Sequence, residues 1–179
     1  MKIISLVLVV LSSIFCTPYY QQTQVNDNYG YKVKVGDKAP DFEIEYLDGT
    51  KINLASLQGK IVMIQFTASW CGVCRKEMPY IEKEIWQKHK DNQNFVLLGI
   101  DLKEDKETVK QFIKKTNVTY PITLDTDGSK FDLFTEKGAG VTRNIIIDEN
   151  GKIIMLTRLF DMNEFNTMVK FIEEKLNNL

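Results

Sequence analysis

Residues 61–81 read IVMIQFTASWCGVCRKEMPYI, and this stretch decides the fold. Its first seven residues form a mostly apolar run of strand length, which predicts a buried central strand. From Gly72 to about Lys88 the apolar residues recur at intervals of three and four, which predicts a helix with one buried face. A kink is expected at Pro79, because proline has no backbone N–H to donate inside a helix. Cys71 and Cys74 therefore lie where the helix begins.

The elements on either side of this stretch predict one mixed sheet. Alternating apolar residues at 42–46, a turn at Asp48-Gly49 and a second short strand predict a β-hairpin before the central strand. Later segments predict further strands at 95–100, 120–124, 145–147 and 152–157. Two further helices are predicted, one capped by Asp105 with its apolar face at 109–113, and one capped by Asp161 or Asn163 with its apolar face at 165–176. This order favours an α/β fold in which helices cover both faces of one sheet.

The Cys-Gly-Val-Cys motif predicts redox chemistry. A thiol attacks a disulfide only as the thiolate, and the dipole and unpaired N–H groups of a helix N-terminus stabilise that negative charge. Cys71, at the helix entrance, is predicted to attack a partner disulfide. Cys74, one turn further on, is predicted to resolve the mixed disulfide that forms.

Composition excludes several other classes of function. Lys and Arg number 23 against 24 Asp and Glu, so the formal net charge of -1 offers no basic surface for nucleic acid. The single histidine leaves too few ligands for a zinc or iron site, and no metal or other cofactor is predicted. A Cys-x-x-Cys pair can form half of a zinc site, but the rest of the chain supplies no second pair.

The N-terminal residues predict export. Residues 1–16 combine Lys2 with a short apolar run and read as a signal peptide, residues 17–34 as a polar linker, and residues 35–179 as the folded domain. Cys16 closes the run where a bacterial lipoprotein accepts its lipid, although the residues just before it make a poor lipobox. The predicted location is the periplasm or cell envelope, with the membrane reached only through this possible anchor.

The stretch from Phe66 to Cys74 (FTASWCGVC) resembles the active-site region of the thioredoxin superfamily, Phe-x-Ala-x-Trp-Cys-x-x-Cys. More narrowly, the chain is similar to the TlpA/ResA-like, AhpC/TSA-related thiol-disulfide oxidoreductases over about residues 35–177. VGDKAPDF at 35–42 and IDENGKI at 147–153 carry this resemblance as well. It implies a thioredoxin-like, three-layer α/β/α domain. It also implies protein disulfides or dithiols as substrates and an electron donor in the membrane.

Two departures from the family pattern concern proton transfer. Thioredoxins carry a buried Asp six residues before the first cysteine, where this chain has Gln65, and glutamine cannot act as a base. In the envelope subfamily a Glu three residues after the second cysteine is linked with that role, and Glu77 occupies the matching position. The alternative for Glu77 is a solvated acid stabilised by the helix dipole.

Other departures concern the surroundings of the dithiol. Where the family has a cis-proline opposite the cysteines, this chain has Thr142, and a cis bond before it would cost about 2.5–4 kcal/mol. Either the fold enforces that bond or the loop is trans and meets partners differently. Val73, which follows Gly72 in the dithiol loop, replaces the proline common in thioredoxin and should change the redox potential. Trp70 either shields the sulfurs and touches partners or packs in the core.

Two alternatives to a thiol-disulfide oxidoreductase remain open at this point. A peroxiredoxin-like peroxide reductase is disfavoured. Its Pro-x-x-x-Thr/Ser-x-x-Cys signature requires proline where this chain has Ile64, and threonine or serine where it has Ala68. A thioredoxin-fold binding module that uses the dithiol only as a regulatory switch is the other alternative.

Overall fold

The computed structural model describes residues 30–179, so the predicted leader, Cys16 and most of the predicted linker lie outside the described residues. Within these described residues, seven strands form one mixed sheet in the order β2-β1-β5-β4-β3-β6-β7. The central strand β3 runs parallel to β4 and antiparallel to β6. The strands are β1 (Glu43–Tyr46), β2 (Lys51–Asn53), β3 (Ile61–Thr67), β4 (Phe95–Leu102), β5 (Ile122–Asp125), β6 (Arg143–Ile147) and β7 (Ile153–Arg158).

Helices cover both faces of the sheet, as predicted. They are α1 (Gly72–Ile81), which continues as a π-helical segment (Glu82–Trp86) and a last turn (Gln87–His89), α2 (Lys106–Thr116), α3 (Ser129–Phe134) and α4 (Met162–Asn177); a 3-10 turn (Leu54–Leu57) follows β2. Pro79 lies inside α1, and the departure from α-helical geometry comes after Ile81 rather than at the proline.

The core lies on both faces of β3, which is buried along its whole length. Val62, Ile64 and Phe66 point into one apolar cluster, which also contains the aromatic side chains of α3. The intervening residues Ile61 and Met63 point into a second cluster, which the apolar faces of α1, α2 and α4 complete. The two-residue period of the strand therefore divides the core into two layers.

The sequence predicted this architecture closely. The N-terminal hairpin is present as β1 and β2, and β3 has the predicted bounds. Asp105 caps α2 by accepting from the backbone N–H of Thr108 at 2.8 Å, and Asp161 caps α4. The short helix α3 was not predicted.

The last residues of the predicted linker, 30–34, lie against the domain. The hydroxyl of Tyr31 donates to the backbone oxygen of Thr157 at 2.7 Å. The guanidinium of Arg143 lies over the Tyr31 ring, 4.3 Å from its centroid. This segment therefore covers β6 next to the loop that faces the cysteines.

Candidate active site

The dithiol lies at the N-terminus of α1, where the sequence predicted it. Cys71 is the N-cap, and its Sγ accepts the backbone N–H of Cys74 at 3.1 Å. The two cysteines form a disulfide, with Cα atoms 5.3 Å apart. Cys71 keeps 7% of its surface exposed and Cys74 none. The difference fits Cys71 as the sulfur that meets a partner, although the oxidised pair exposes little of it.

Thr142 faces the disulfide from the loop before β6. Its Oγ1 lies 3.1 Å from Sγ of Cys71 and 3.2 Å from Sγ of Cys74. The antiparallel pairing of β6 with β3 explains this contact, because it brings the start of β6 to the end of β3, just before the cysteines. No cis peptide bond occurs in residues 30–179, so the bond from Val141 to Thr142 is trans.

Glu77 lies on α1, one turn after Cys74, and is buried, with 1% of its surface exposed. The alternative of a solvated acid is therefore wrong for this residue. Its Oε2 accepts from the side-chain amide of Gln65 at 3.0 Å and its Oε1 from that of Asn144 at 2.7 Å. Burial raises the pKa of Glu77 to about 7, and these two hydrogen bonds limit the rise. The carboxyl can therefore exchange a proton near neutral pH.

The side-chain amides of Gln65 and Asn144 each form a second hydrogen bond, with a hydroxyl group. The hydroxyl of Tyr120 donates to Oε1 of Gln65 at 2.7 Å. The side-chain N–H of Asn144 also donates to Oγ1 of Thr157, at 2.9 Å. Sequence reasoning found Gln65 and Glu77 but missed the other three residues. No local motif marks them, because they lie 43–80 positions from Glu77 along the chain.

A second carboxyl group anchors the turn that leads into the dithiol. One oxygen of Glu104 accepts the backbone N–H of Ser69 and the other accepts its hydroxyl, both at 2.6 Å. Arg75 donates to the carbonyl oxygen of the same serine. Beside Glu104, at the end of β4, lies Asp101, which is fully buried. Burial and the neighbouring Glu104 raise the pKa of Asp101 to about 8.

The remaining predicted site residues lie around the entrance to the dithiol. Trp70 is 62% exposed, so it does not pack in the core and is free to touch a partner. Gly72 is exposed, and Val73 is half-buried against the core. Cys16, the predicted lipidation site, lies outside the described residues.

None of the helices within residues 30–179 combines the length and the apolar character needed to cross a bilayer.

Comparisons with known proteins identify the family. The Redoxin family model matches residues 34–172. Thiol-disulfide oxidoreductase ResA of Bacillus cereus is 33% identical over 123 residues, which cover 69% of each chain.

Solved structures agree with this assignment. The solution structure of a candidate protein disulfide isomerase from Bacteroides thetaiotaomicron is 55% identical, with a TM-score of 0.80 over 83% of this chain and 93% of that one. A thiol:disulfide interchange protein of the thioredoxin family from Chlorobium tepidum TLS is 26% identical, with a TM-score of 0.63 over 80% and 99% of the two chains. These matches confirm the predicted thioredoxin-like fold. The chain therefore belongs to the Redoxin family and, within it, to the ResA-like thiol-disulfide oxidoreductases.

Proposed function

We propose that this protein is a thiol-disulfide oxidoreductase that exchanges electrons with disulfides of other proteins through Cys71 and Cys74. The observation that carries this proposal is the disulfide at the start of α1 with the buried carboxyl of Glu77 one turn further on. The helix N-terminus favours the thiolate, and the carboxyl supplies a group that can take or return a proton. The names of the ResA and interchange-protein relatives support the same activity.

In the reducing direction, the reaction starts from the dithiol. The thiolate of Cys71 attacks one sulfur of a partner disulfide, which forms a mixed disulfide and releases the other partner sulfur as a thiolate. Glu77 then takes the proton of the Cys74 thiol. The resulting thiolate attacks Sγ of Cys71, closes the disulfide seen here and releases the second partner sulfur. Two electrons move from the dithiol to the partner, and a dithiol protein must return them.

The surface around the dithiol supports contact with a protein. Trp70 is exposed beside Cys71 and offers a flat apolar surface to a partner chain. The hydroxyl of Thr142 can donate to either sulfur as charge shifts between them. We assign Trp70, Gly72, Val73, Gln65 and Thr142 to the environment of the site and Glu77 to proton transfer.

We also propose that the protein acts in the cell envelope as a reductase that receives electrons from a membrane partner. The apolar run before Cys16 supports export, and a lipid on that cysteine would hold the domain at the membrane. Membrane fractionation of the full chain and of Cys16→Ala tests the anchor. Release of the variant into the soluble fraction is expected, and identical fractionation of the two proteins would contradict the anchor.

Reduction of insulin disulfides with dithiothreitol as the electron source tests the activity. We expect turnover by the wild-type chain and none by Cys71→Ser. When reduced Cys74→Ser is freed of dithiothreitol and mixed with insulin, it should form a mixed disulfide that persists, because the resolving thiol is missing. Unchanged turnover by Cys71→Ser would refute the proposal. Peroxide consumption under the same conditions should stay at the background rate, since the peroxidatic signature is absent.

The reduction potential of the couple tests the direction of electron flow. A value of about -270 mV or lower in glutathione and dithiothreitol buffers is expected for a reductase. A value of about -120 mV would identify an oxidant instead.

A further inference from the structure

We propose that Gln65 and Asn144 are positioning residues that keep the carboxyl of Glu77 hydrogen-bonded in both its ionised and its protonated state. The proposal rests on the proton-transfer role assigned to Glu77 above and extends it to the groups that control this carboxyl. Gln65 would then take part in proton transfer indirectly, by holding the group that replaces the thioredoxin base.

The geometry gives each carboxylate oxygen its own amide donor. Gln65 reaches Glu77 from β3 at 3.0 Å, and Asn144 reaches it from β6 at 2.7 Å. The neighbouring strands β3 and β6 pair Gln65 directly with Asn144. Both amides therefore reach the same carboxyl group from the sheet. Both amide side chains are fully buried. Bulk water therefore cannot solvate this carboxylate, and the two amides supply its hydrogen bonds instead.

Each amide is itself held by a hydroxyl group, and a hydroxyl can either donate or accept. In the orientation seen here both amides donate to Glu77, which suits the ionised carboxylate. When Glu77 is protonated, its O–H needs an acceptor. Turning either amide over presents its carbonyl oxygen to that proton, while the hydroxyl of Tyr120 or Thr157 reverses its role and keeps its own contact.

Asn144 has an additional feature that agrees with this inference. Its Oδ1 is buried and has no hydrogen-bond partner within residues 30–179. Buried polar atoms nearly always have a partner, so an unpartnered acceptor beside a titrating carboxyl calls for an explanation. The same oxygen accepts the acid proton once the amide turns over.

The other ionisable groups around Glu77 come from three other segments of the chain and from α1 itself. Glu164 on α4 opposes ionisation of Glu77 through its negative charge. Tyr120, before β5, is buried and Tyr31, in the N-terminal segment, is half-buried; desolvation raises the pKa of both, so both are neutral at pH 7. On α1 itself Cys74 becomes ionisable only when the disulfide is reduced. The two amides are thus the hydrogen-bonding groups that offset the burial of this carboxyl.

Titration of Glu77 by NMR tests the inference directly. Oxidised protein labelled with ¹³C in the glutamate carboxyl groups is titrated from pH 4 to pH 10, and the Glu77 signal is identified by its absence in Glu77→Gln. Each amide hydrogen-bonds both states of the carboxyl, but the bond to the charged state is the stronger one. Loss of one amide in Gln65→Leu or Asn144→Leu should therefore move the midpoint upward by about one pH unit. A midpoint within about 0.3 pH units of wild type in both variants would overturn the inference.

Milder variants keep the test decisive if the leucine variants do not fold. Tyr120→Phe and Thr157→Val remove only the hydroxyl behind each amide, and we expect smaller upward shifts from both. Thr157→Ser keeps that hydroxyl and should retain the wild-type midpoint. Equal midpoints in Thr157→Val, Thr157→Ser and Tyr120→Phe would contradict the inference.

This measurement is independent of catalysis. If Glu77→Gln resolves mixed disulfides at the wild-type rate, the proton-transfer role of Glu77 fails, whereas the shifts of its midpoint are unaffected. If the rate falls in Glu77→Gln but no variant shifts the midpoint, the catalytic role stands and the positioning role of Gln65 and Asn144 fails.

Discussion

The hydroxyl oxygen of Thr142 lies 3.1 Å from Sγ of Cys71, at the position where the family pattern has a cis-proline. Proline has no polar hydrogen to offer, whereas threonine brings a donor to the reactive sulfur. The substitution therefore changes the chemistry around the attacking thiolate as well as the shape of the loop.

Thr142→Val should make the Cys71 thiolate less stable. Valine has nearly the same shape but cannot donate, so we expect the pKa of Cys71 in the reduced protein to rise by about 0.5–1 unit. The pH dependence of iodoacetamide alkylation measures this value. Thr142→Ser keeps the hydroxyl and is the matched control. Equal alkylation profiles for the valine and serine variants would show that the contact has no electrostatic effect.

The resolving step should depend on pH through Glu77. Because the pKa of Glu77 is raised to about 7, the fraction of ionised base grows as the pH rises through 7, and the wild-type rate should rise with it. Glu77→Gln should lack this rise and resolve mixed disulfides at least about tenfold more slowly at pH 8. Stopped-flow measurement of disulfide closure checks both points. A pH profile that survives the substitution would exclude Glu77 as the base.

Glu104 should stabilise the oxidised protein through Ser69. Loss of the carboxylate in Glu104→Gln weakens two short hydrogen bonds. We expect the free energy of unfolding to fall by about 1–2 kcal/mol. Chemical denaturation measures the change. Glu107→Gln is the control. Glu107 is exposed and forms an ion pair with the exposed side chain of Lys110, so the substitution should lower the free energy of unfolding by less than about 0.5 kcal/mol.

Asp101 should make the protein less stable as the pH rises. A carboxyl group with a raised pKa binds its proton more tightly in the folded chain, so the folded state loses stability from the unfolded pKa of about 3.9 up to the folded pKa. With a folded pKa of about 8, the loss between pH 6 and pH 9 is on the order of 2–3 kcal/mol.

Thermal unfolding at pH 6 and pH 9 tests this expectation. Asp101→Asn cannot ionise, so its stability advantage over wild type should grow between these two pH values. Glu104→Gln separates the two causes of the shift, because it removes the neighbouring charge and leaves the burial of Asp101 in place. If the difference in stability between Asp101→Asn and wild type is the same at pH 6 and pH 9, the raised pKa of Asp101 is contradicted.

The sequence predicted the fold well because its strongest signals are local. The seven residues of β3 and the spacing of the apolar residues in α1 fixed the central strand, the helix and the dithiol between them. The sequence did not predict the short helix α3, because its six residues follow a stretch typical of a turn. Its first N–H group, that of Ser129, donates to Asp127, and the next two, of Lys130 and Phe131, donate to Asp125 at the end of the preceding strand.

The residues of the site likewise divide into those placed by local sequence patterns and those placed by contacts between distant parts of the chain. The sequence by itself determined that Cys71 and Cys74 lie together at the N-terminus of a helix, because three-residue spacing on a helix is a local property. Only the tertiary structure decided the environment of Glu77. The pairing of β3 with β6 places Asn144 against a carboxyl that lies 67 positions earlier in the chain. Burial and hydrogen bonding depend on such distant neighbours, and these set the pKa of the carboxyl to which we assign proton transfer.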